Sequence, residues 1–207
     1  MVRAFIVSLV LLFLFFIPQV ARAQAADDMQ KKVQVYFDDI FLKLKTIAHQ
    51  QPTVANFRQI SQPVLKSVPG LFGGSYIDDK WVIRQSLFAI HAMARGFDLK
   101  GVAELHYFQQ KMKDAPGPQL SEPGHGNLMQ PRLIAMRYPV LKDGKVEGIV
   151  SVMVRTPAFL RAVGLDKAKA YKIICLGKLA EQYGVMPEKF TEFKVSLPST
   201  EWLIQYE

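Results

Sequence analysis

The side chains that could support catalysis or bind a metal are few and widely spaced in this sequence. The four histidines are His49, His91, His106 and His125, and no two of them are four residues apart, the spacing that presents two zinc ligands on one helix face. His125 lies in a Pro-Gly-His-Gly loop, as either a catalytic or metal-binding residue or an ordinary polar loop residue. No pattern pairs two acidic residues for acid–base catalysis. We therefore predict a protein without a catalytic site, a metal site or a cofactor.

Cys175 is the only cysteine, so no disulfide forms within the chain. It lies in the apolar run Tyr-Lys-Ile-Ile-Cys-Leu, which indicates a buried structural thiol and not a reactive one. A Cys-x-x-Cys-His motif is absent, which excludes covalent c-type haem.

The clearest local pattern is MRYPVLKDGKVEGIVSVMV, residues 136–154, which predicts two antiparallel strands. Asp143-Gly144 suits the centre of a type I′ turn, whose two central residues both need positive φ. Counting outward from that turn pairs Arg137 with Val150. One face of the hairpin is then small and aliphatic apart from Arg137, and it suits packing against a helix.

The opposite face of this predicted hairpin mixes apolar bulk with a few polar groups. It carries Arg132, Ile134, Met136, Tyr138 and Val140 opposite Arg155, Met153, Ser151, Ile149 and Glu147. That composition is typical of a ligand pocket, although a second core layer could cover it equally well. A slip of one residue in the pairing would exchange the two faces.

The first 23 residues have the order of a secretory signal peptide. Arg3 supplies a short positive region, residues 4–17 are almost wholly apolar, and Ala21-Arg22-Ala23 offers a small-x-small cleavage site. The apolar run has about 14 residues, whereas a membrane-spanning helix needs about 20, and a retained signal anchor is the alternative. We predict that residues 1–23 are removed and that residues 24–207 form a single periplasmic or secreted domain.

Apolar residues recur at three- and four-residue steps after Asp28, which predicts a long helix over residues 28–50. Further helices are predicted around residues 54–67, 98–113 and 156–164. Strands are predicted on both sides of Asp78-Asp79-Lys80, in the 136–154 hairpin, as one strand around Cys175, and as two strands broken at Pro198-Ser199. This order predicts an α+β fold in which the long N-terminal helix packs on an antiparallel sheet.

The chain is basic, with 26 Lys and Arg against 18 Asp and Glu and a formal net charge of +8. A positive charge can indicate an anionic ligand, a membrane surface or nucleic acid. The basic residues are scattered and form no block, which favours an ordinary solvated surface. Together with the predicted export, this argues against a nucleic-acid partner.

Four stretches in this order resemble the extracytoplasmic Cache domain, the PAS-like, PDC-type sensor module of bacterial chemoreceptors and histidine kinases. They are the long first helix, the segment HYFQQKMKDAPGPQLSEPG with its aromatic pair, the hairpin PRLIAMRYPVLKDGKVEGIVSVMV, and the last strand SLPSTEWLIQYE with Trp202. The resemblance covers nearly all of residues 24–207. It implies a PAS/Cache-like antiparallel sheet behind the long helix.

The resemblance also implies a pocket, built by the sheet and the loops above it, for a small carboxylate, an amino acid or another metabolite. The candidate ligand-binding residues carried over by position are Tyr107, Phe108, Arg132, Met136 and Tyr138, and Ser151 shares the predicted hairpin face of the last three. Arg132 or Arg137 could hold a carboxylate as a bidentate partner, and the alternative for each is a surface ion pair. Amino-acid-binding members of the family place an arginine two residues before the aromatic pair. Leu105 holds that position here, which weakens the amino-acid interpretation and favours a small anionic metabolite.

Receptors of this family continue into a second membrane helix and a cytoplasmic output domain, whereas this sequence stops at Glu207. We therefore expect a free-standing, exported sensory domain that binds a small molecule and passes ligand occupancy to a membrane-bound receptor or kinase. The alternative is a periplasmic protein–protein interaction module without a ligand. A hydrolase-type enzyme is a third interpretation.

Overall fold

The computed structural model describes the backbone of residues 2–124 and 131–207, with side chains from Gln24 onward. The side chains of the predicted signal peptide, residues 1–23, therefore lie outside the described part of the chain. The loop residue His125 lies outside it as well. Among the residues whose side chains are described, no helix combines the length and the apolar character needed to cross a membrane.

The fold alternates helices with antiparallel strands, in the order that the sequence patterns predict. The helices are α1 (Val2–His49), α2 (Phe57–Leu65), α3 (His106–Asp114) and α4 (Thr156–Val163). The strands are β1 (Leu71–Asp78), β2 (Ile83–Ser86), β3 (Gln119–Leu120), β4 (Leu133–Lys142), β5 (Lys145–Arg155), β6 (Tyr171–Cys175), β7 (Lys178–Tyr183), β8 (Thr191–Leu197) and β9 (Thr200–Tyr206).

The long helix α1 is the element on which the rest of the chain packs. Its predicted apolar face is confirmed, since Val33, Phe37, Ile40, Leu44 and Ile47 are all fully buried. The helix contacts β4, β5 and β8, which belong to two different sheets. A single helix face therefore supports both halves of the strand-rich region.

The strands form two antiparallel sheets, with orders β2-β1-β5-β4-β3 and β7-β6-β9-β8. The predicted α+β fold is confirmed, with two sheets on the helix instead of one. Their buried residues join in one continuous core. At its centre, the ring of Phe37 lies 5.1 Å from Phe159 and 5.3 Å from Trp202, centroid to centroid. We call the face of the first sheet that meets α1 its inner face, and the opposite one its outer face.

The β4–β5 hairpin has the predicted turn but not the predicted pairing. Asp143 and Gly144 have φ of 51° and 77°, as a type I′ turn requires. Beyond the turn the register shifts by one residue at a β-bulge, so that Arg137 pairs with Ser151 and not with Val150. The predicted pairing was wrong for this reason, and the side chains of β4 lie on the face opposite to the predicted one.

A close contact with β1 accompanies this bulge. A Cβ atom on Gly148 would come within 2.5 Å of the Tyr76 hydroxyl, so only glycine allows the tyrosine ring to lie over the strand here. The Tyr76 hydroxyl also reaches the carbonyl oxygen of Glu147 at 3.5 Å. The bulge therefore lies beside a contact with a residue about 70 positions away in the chain.

Two other elements differ from their predictions. The strand predicted around Cys175 is a hairpin, β6–β7, whose turn residues Leu176 and Gly177 have φ of 48° and 78°. The helix predicted over residues 98–113 is shorter, because two 3₁₀ turns precede α3. Cys175 itself is buried, as predicted, and burial raises the pKa of its thiol above the ordinary range.

Candidate ligand-binding site

The outer face of the first sheet carries a row of buried polar side chains that crosses all five strands. Cross-strand pairing joins Ser86 to Ser75, Ser75 to Ser151, Ser151 to Arg137, and Arg137 to Gln119. Residues directly opposite each other across a sheet project from the same face. All five are buried, and the most exposed, Ser75, is 7% exposed. We call these residues the polar row.

Arg137 is the only charged member of the polar row, and no described residue supplies its counter-ion. Its side chain is 6% exposed, and its Nε and Nη1 have no hydrogen-bond partner among the described residues. None of the ion pairs between described residues includes it. Burial lowers the pKa of Arg137 to about 10, so the guanidinium remains charged at neutral pH. An anion placed here would offset the cost of burying this charge.

Phe108 contacts the guanidinium, and Gln119 lies directly across the strand pair from Arg137. The Cζ atom of Arg137 lies 5.5 Å from the centroid of the Phe108 ring, within the range of a cation–π contact. Gln119 Nε2 donates a 2.8 Å hydrogen bond to the Phe108 carbonyl oxygen, which leaves Gln119 Oε1 buried without a partner. The site therefore offers unpaired donors on Arg137 and an unpaired acceptor on Gln119.

Along the strand direction, an imidazole lies on one side of the polar row and apolar side chains lie on the other. On one side, His91 lies over Gly73, with its ring 4.8 Å from that of Phe72. On the other side, an apolar cluster covers the outer face. We call it the outer cluster, and its buried members are Ile77, Trp81, Phe108, Met112 and Ile149. The polar row thus lies between an imidazole and an apolar cluster.

The structure separates the six predicted site residues. Phe108 and Ser151 lie at the polar row, whereas Met136 is fully buried in the core on the inner face. Tyr138 is half-buried and packs against that same core. Tyr107 is 43% exposed, and its hydroxyl donates a 3.1 Å hydrogen bond to the Ser199 carbonyl oxygen. The shifted hairpin register is the reason that Met136 and Tyr138 face away from Ser151.

Arg132, the remaining predicted residue, forms an ion pair with Glu181 of the second sheet. The Glu181 side chain is 5% exposed and that of Arg132 is 41% exposed. Arg132 immediately precedes β4, and its carbonyl oxygen accepts a 2.9 Å hydrogen bond from the Thr156 backbone N–H. The two arginines that the sequence offered as carboxylate partners therefore have different surroundings, one paired and one unpaired.

Sequence reasoning missed Ser75, Ser86 and Gln119. No local signal marks them, because each belongs to the polar row only through pairing with a distant strand. The glycine at position 148 is the one sequence feature that could have located the bulge. Among the described residues, no group of three or more His, Cys, Asp or Glu side chains is placed to hold a metal ion.

Known proteins match this chain by structure but not by sequence. No protein-family model matches the chain, and no curated protein matches it by sequence. Solved structures do match. The ligand-binding domain of the Pseudomonas aeruginosa amino acid chemoreceptor PctC, in complex with GABA, has a TM-score of 0.65 at 15% identity, with 89% of this chain and 96% of that chain covered.

Two further structures have similar scores. The ligand-binding domain of the Pseudomonas fluorescens chemoreceptor CtaA, in complex with L-alanine, has a TM-score of 0.64 at 16% identity over 88% of this chain and 93% of that one. An extracellular ligand-binding receptor from Desulfohalobium retbaense has a TM-score of 0.67 at 13% identity over 86% of this chain. This chain spans 39% of that receptor. The chain therefore has the Cache-like fold of chemoreceptor ligand-binding domains.

Proposed function

We propose that this protein is a sensory ligand-binding domain that holds a small carboxylate at the polar row, with Arg137 as the anion partner. The observation that carries the proposal is the buried, charged guanidinium, which has no counter-ion among the residues that the structure describes. A carboxylate that reaches Arg137 would accept charge-assisted hydrogen bonds from Nε and Nη1. Ser151 and Ser75 lie beside it in the row and can donate hydroxyl hydrogen bonds to the same group.

The polar row also supports a more specific ligand chemistry. Gln119 Oε1 is a buried acceptor without a partner, which favours a ligand that carries a hydroxyl or amine donor near its carboxylate. An amino-acid ligand also carries an ammonium group, which an acidic side chain of the protein would stabilise most. No ion pair or hydrogen bond among the described residues brings a carboxylate to the polar row. We therefore propose a small hydroxy acid in preference to an amino acid.

The same fold supports our proposal for the biological role. The similar solved domains belong to chemoreceptors and to an extracellular receptor, which supports a sensory role outside the cytoplasm. We propose that the ligand-bound protein communicates with a membrane-bound receptor or kinase. We propose binding without catalysis, since the hydrogen-bonding groups and the arginine of the polar row are the groups that hold a carboxylate.

Isothermal titration calorimetry with acetate, L-lactate, L-alanine and GABA tests the proposal. We expect L-lactate to bind about two- to tenfold more tightly than acetate, since one additional hydrogen bond contributes about 0.5–1.5 kcal/mol. Arg137→Met should weaken lactate binding by about 10- to 100-fold, the value of a lost charge-assisted contact. Arg137→Lys should retain part of the affinity, because it keeps the charge but not the planar fork.

Arg132→Gln is the matched control, since it removes the other hairpin arginine. We expect its lactate affinity to stay within about twofold of wild type, because Arg132 pairs with Glu181. Unchanged binding in Arg137→Met together with lost binding in Arg132→Gln would contradict the proposal and support the pocket on the opposite hairpin face. Failure of all four compounds to bind would remove small carboxylates as the ligand class.

A further inference from the structure

A second concave surface lies at the tip of the β4–β5 hairpin, on the far side of the outer cluster from the polar row. It is a cleft of about 740 Å³ between α3, the β1–β2 turn and the Asp143-Gly144 turn. Neither Arg137 nor Ser151 lines it. Ile149, which forms part of its floor, is two residues from Ser151 on β5, about 6.6–6.8 Å along the strand.

Basic side chains from three elements converge on this cleft. Lys100 comes from a 3₁₀ turn, Lys113 from the end of α3, and Lys145 from the hairpin turn. None of these three lysines takes part in an ion pair with a described residue. Asp79 is the one acidic residue among the lining side chains. The cleft therefore carries an excess of positive charge that the protein does not neutralise locally.

The floor of the cleft is apolar and includes an aromatic residue in a strained conformation. Trp81 has a φ of 62°, a left-handed backbone conformation that a bulky residue rarely adopts. Its side chain packs with Met112 and Ile149 of the outer cluster, and all three line the cleft. The Asp78 carboxylate supports this conformation, since it accepts hydrogen bonds from the Lys80 and Val82 backbone N–H groups at 3.0 and 2.9 Å.

His106 completes one wall. Its Nε2 lies 3.0 Å from the Lys100 carbonyl oxygen, and because a carbonyl oxygen can only accept, Nε2 is the donor. This bond ties the start of α3 to the 3₁₀ turn that carries Lys100. Lys100 and Lys113 are therefore presented from backbone segments that are connected to each other, which favours a fixed spacing between the two charges.

From these observations we infer that the cleft is a second ligand site, separate from the polar row, for a small multivalent anion such as a polycarboxylate or a phosphorylated metabolite. Three uncompensated ammonium groups supply the attraction, and lysine binds phosphate and carboxylate groups as a point charge. The apolar floor of Trp81, Met112 and Ile149 receives the carbon skeleton of the ligand. A monovalent carboxylate engages one lysine at a time and gains little here.

Calorimetric titration with citrate and with pyrophosphate at low ionic strength tests this inference, with acetate as the monovalent probe. We expect at least one of the two multivalent anions to bind, and each of the variants Lys100→Gln, Lys113→Gln and Lys145→Gln to weaken that binding by about two- to fivefold, as for a solvent-accessible ion contact. Comparing citrate with pyrophosphate distinguishes a carboxylate from a phosphate preference. Raising the salt concentration should weaken both.

Trp81 provides a second readout. The chain has two tryptophans, and Trp202 is fully buried in the central core, so a change in fluorescence on binding reports Trp81. The matched control is Lys142→Gln, which removes a lysine on the other side of the hairpin turn that does not line the cleft. We expect this variant to bind as wild type does.

Three results would overturn the inference. They are the absence of citrate and pyrophosphate binding at millimolar concentration, an equal loss of affinity in Lys142→Gln and Lys145→Gln, and a loss of binding in Arg137→Met. The last result would assign the anions to the polar row. Failure of lactate to bind at Arg137 would leave the cleft unaffected, so the two proposals can fail separately.

Discussion

At the scale of single residues, the most informative side chain is a buried arginine that the fold does not satisfy. Arg137 lies in the outer face of a sheet, 6% exposed, with two nitrogens unpaired among the described residues. A buried charge without a partner is costly, and proteins retain such groups mainly where a ligand supplies the partner. Cation–π contact with Phe108 recovers only part of that cost. Arg137 therefore favours the binding of an anion and lowers the stability of the ligand-free protein.

Replacing this arginine should stabilise the ligand-free protein. In Arg137→Met the apolar side chain fills a similar volume without a buried charge, and we expect the free energy of unfolding to rise by about 1–4 kcal/mol. Thermal and urea unfolding of the ligand-free protein measure this change. A lower melting temperature in Arg137→Met than in wild type would instead assign Arg137 a structural role.

At the scale of elements, β4 connects the candidate site to the second sheet. Arg137 lies in this strand, and Arg132, just before its first residue, pairs with Glu181 of β7. The two sheets share the helix α1 as a support, and this ion pair is a second link between them. A shift of β4 on ligand binding would therefore change the ion pair between Arg132 and Glu181 of β7.

Breaking that link should destabilise the protein. In Arg132→Met, Glu181 keeps its 5% exposed carboxylate but loses its cationic partner, and we expect a loss of about 1–3 kcal/mol in the free energy of unfolding. Urea unfolding at neutral pH measures the loss. The exposed pair of Lys194 and Glu201 offers the control, because Lys194→Met should change stability by less than about 1 kcal/mol. Equal effects of the two variants would show that the Arg132 pair contributes no more than a surface contact.

At the scale of the whole molecule, one core joins both sheets to α1. Phe37 is fully buried and contacts Phe159 of α4 and Trp202 of β9, while the same helix covers the inner face of β4 and β5. Continuous cores of this kind unfold cooperatively. We therefore expect the two sheets to lose their structure together, as the prediction of one domain over residues 24–207 also requires.

Truncating the central ring tests this expectation. We expect Phe37→Ala to lower the free energy of unfolding by about 3–5 kcal/mol, the cost of a large buried cavity. In a Trp81→Phe background the remaining fluorophore, Trp202, reports the second sheet, while circular dichroism reports both sheets. The two transitions should coincide with and without Phe37→Ala. Separate midpoints would show two independently unfolding units.

Several features of this fold could be predicted from the sequence because they depend on neighbouring residues alone. The spacing of Val33, Phe37, Ile40 and Leu44 sets which face of α1 is apolar, and all four are fully buried. The Asp143-Gly144 dipeptide sets a turn with two positive φ angles. Such patterns arise from backbone geometry over a few residues, so they do not depend on the tertiary contacts of the chain.

Which residues form the candidate site was decided by the tertiary structure. The sequence favoured Arg132 as the ligand-binding arginine and placed Arg137 on the helix-packing face. A one-residue bulge beside Gly148 instead placed Arg137 opposite Ser151. That bulge accompanies a contact between Gly148 and Tyr76, and pairing with β1 and β3 then completed the polar row. In a strand of period two, a shift of one residue exchanges the faces, and only contacts between distant segments select the register.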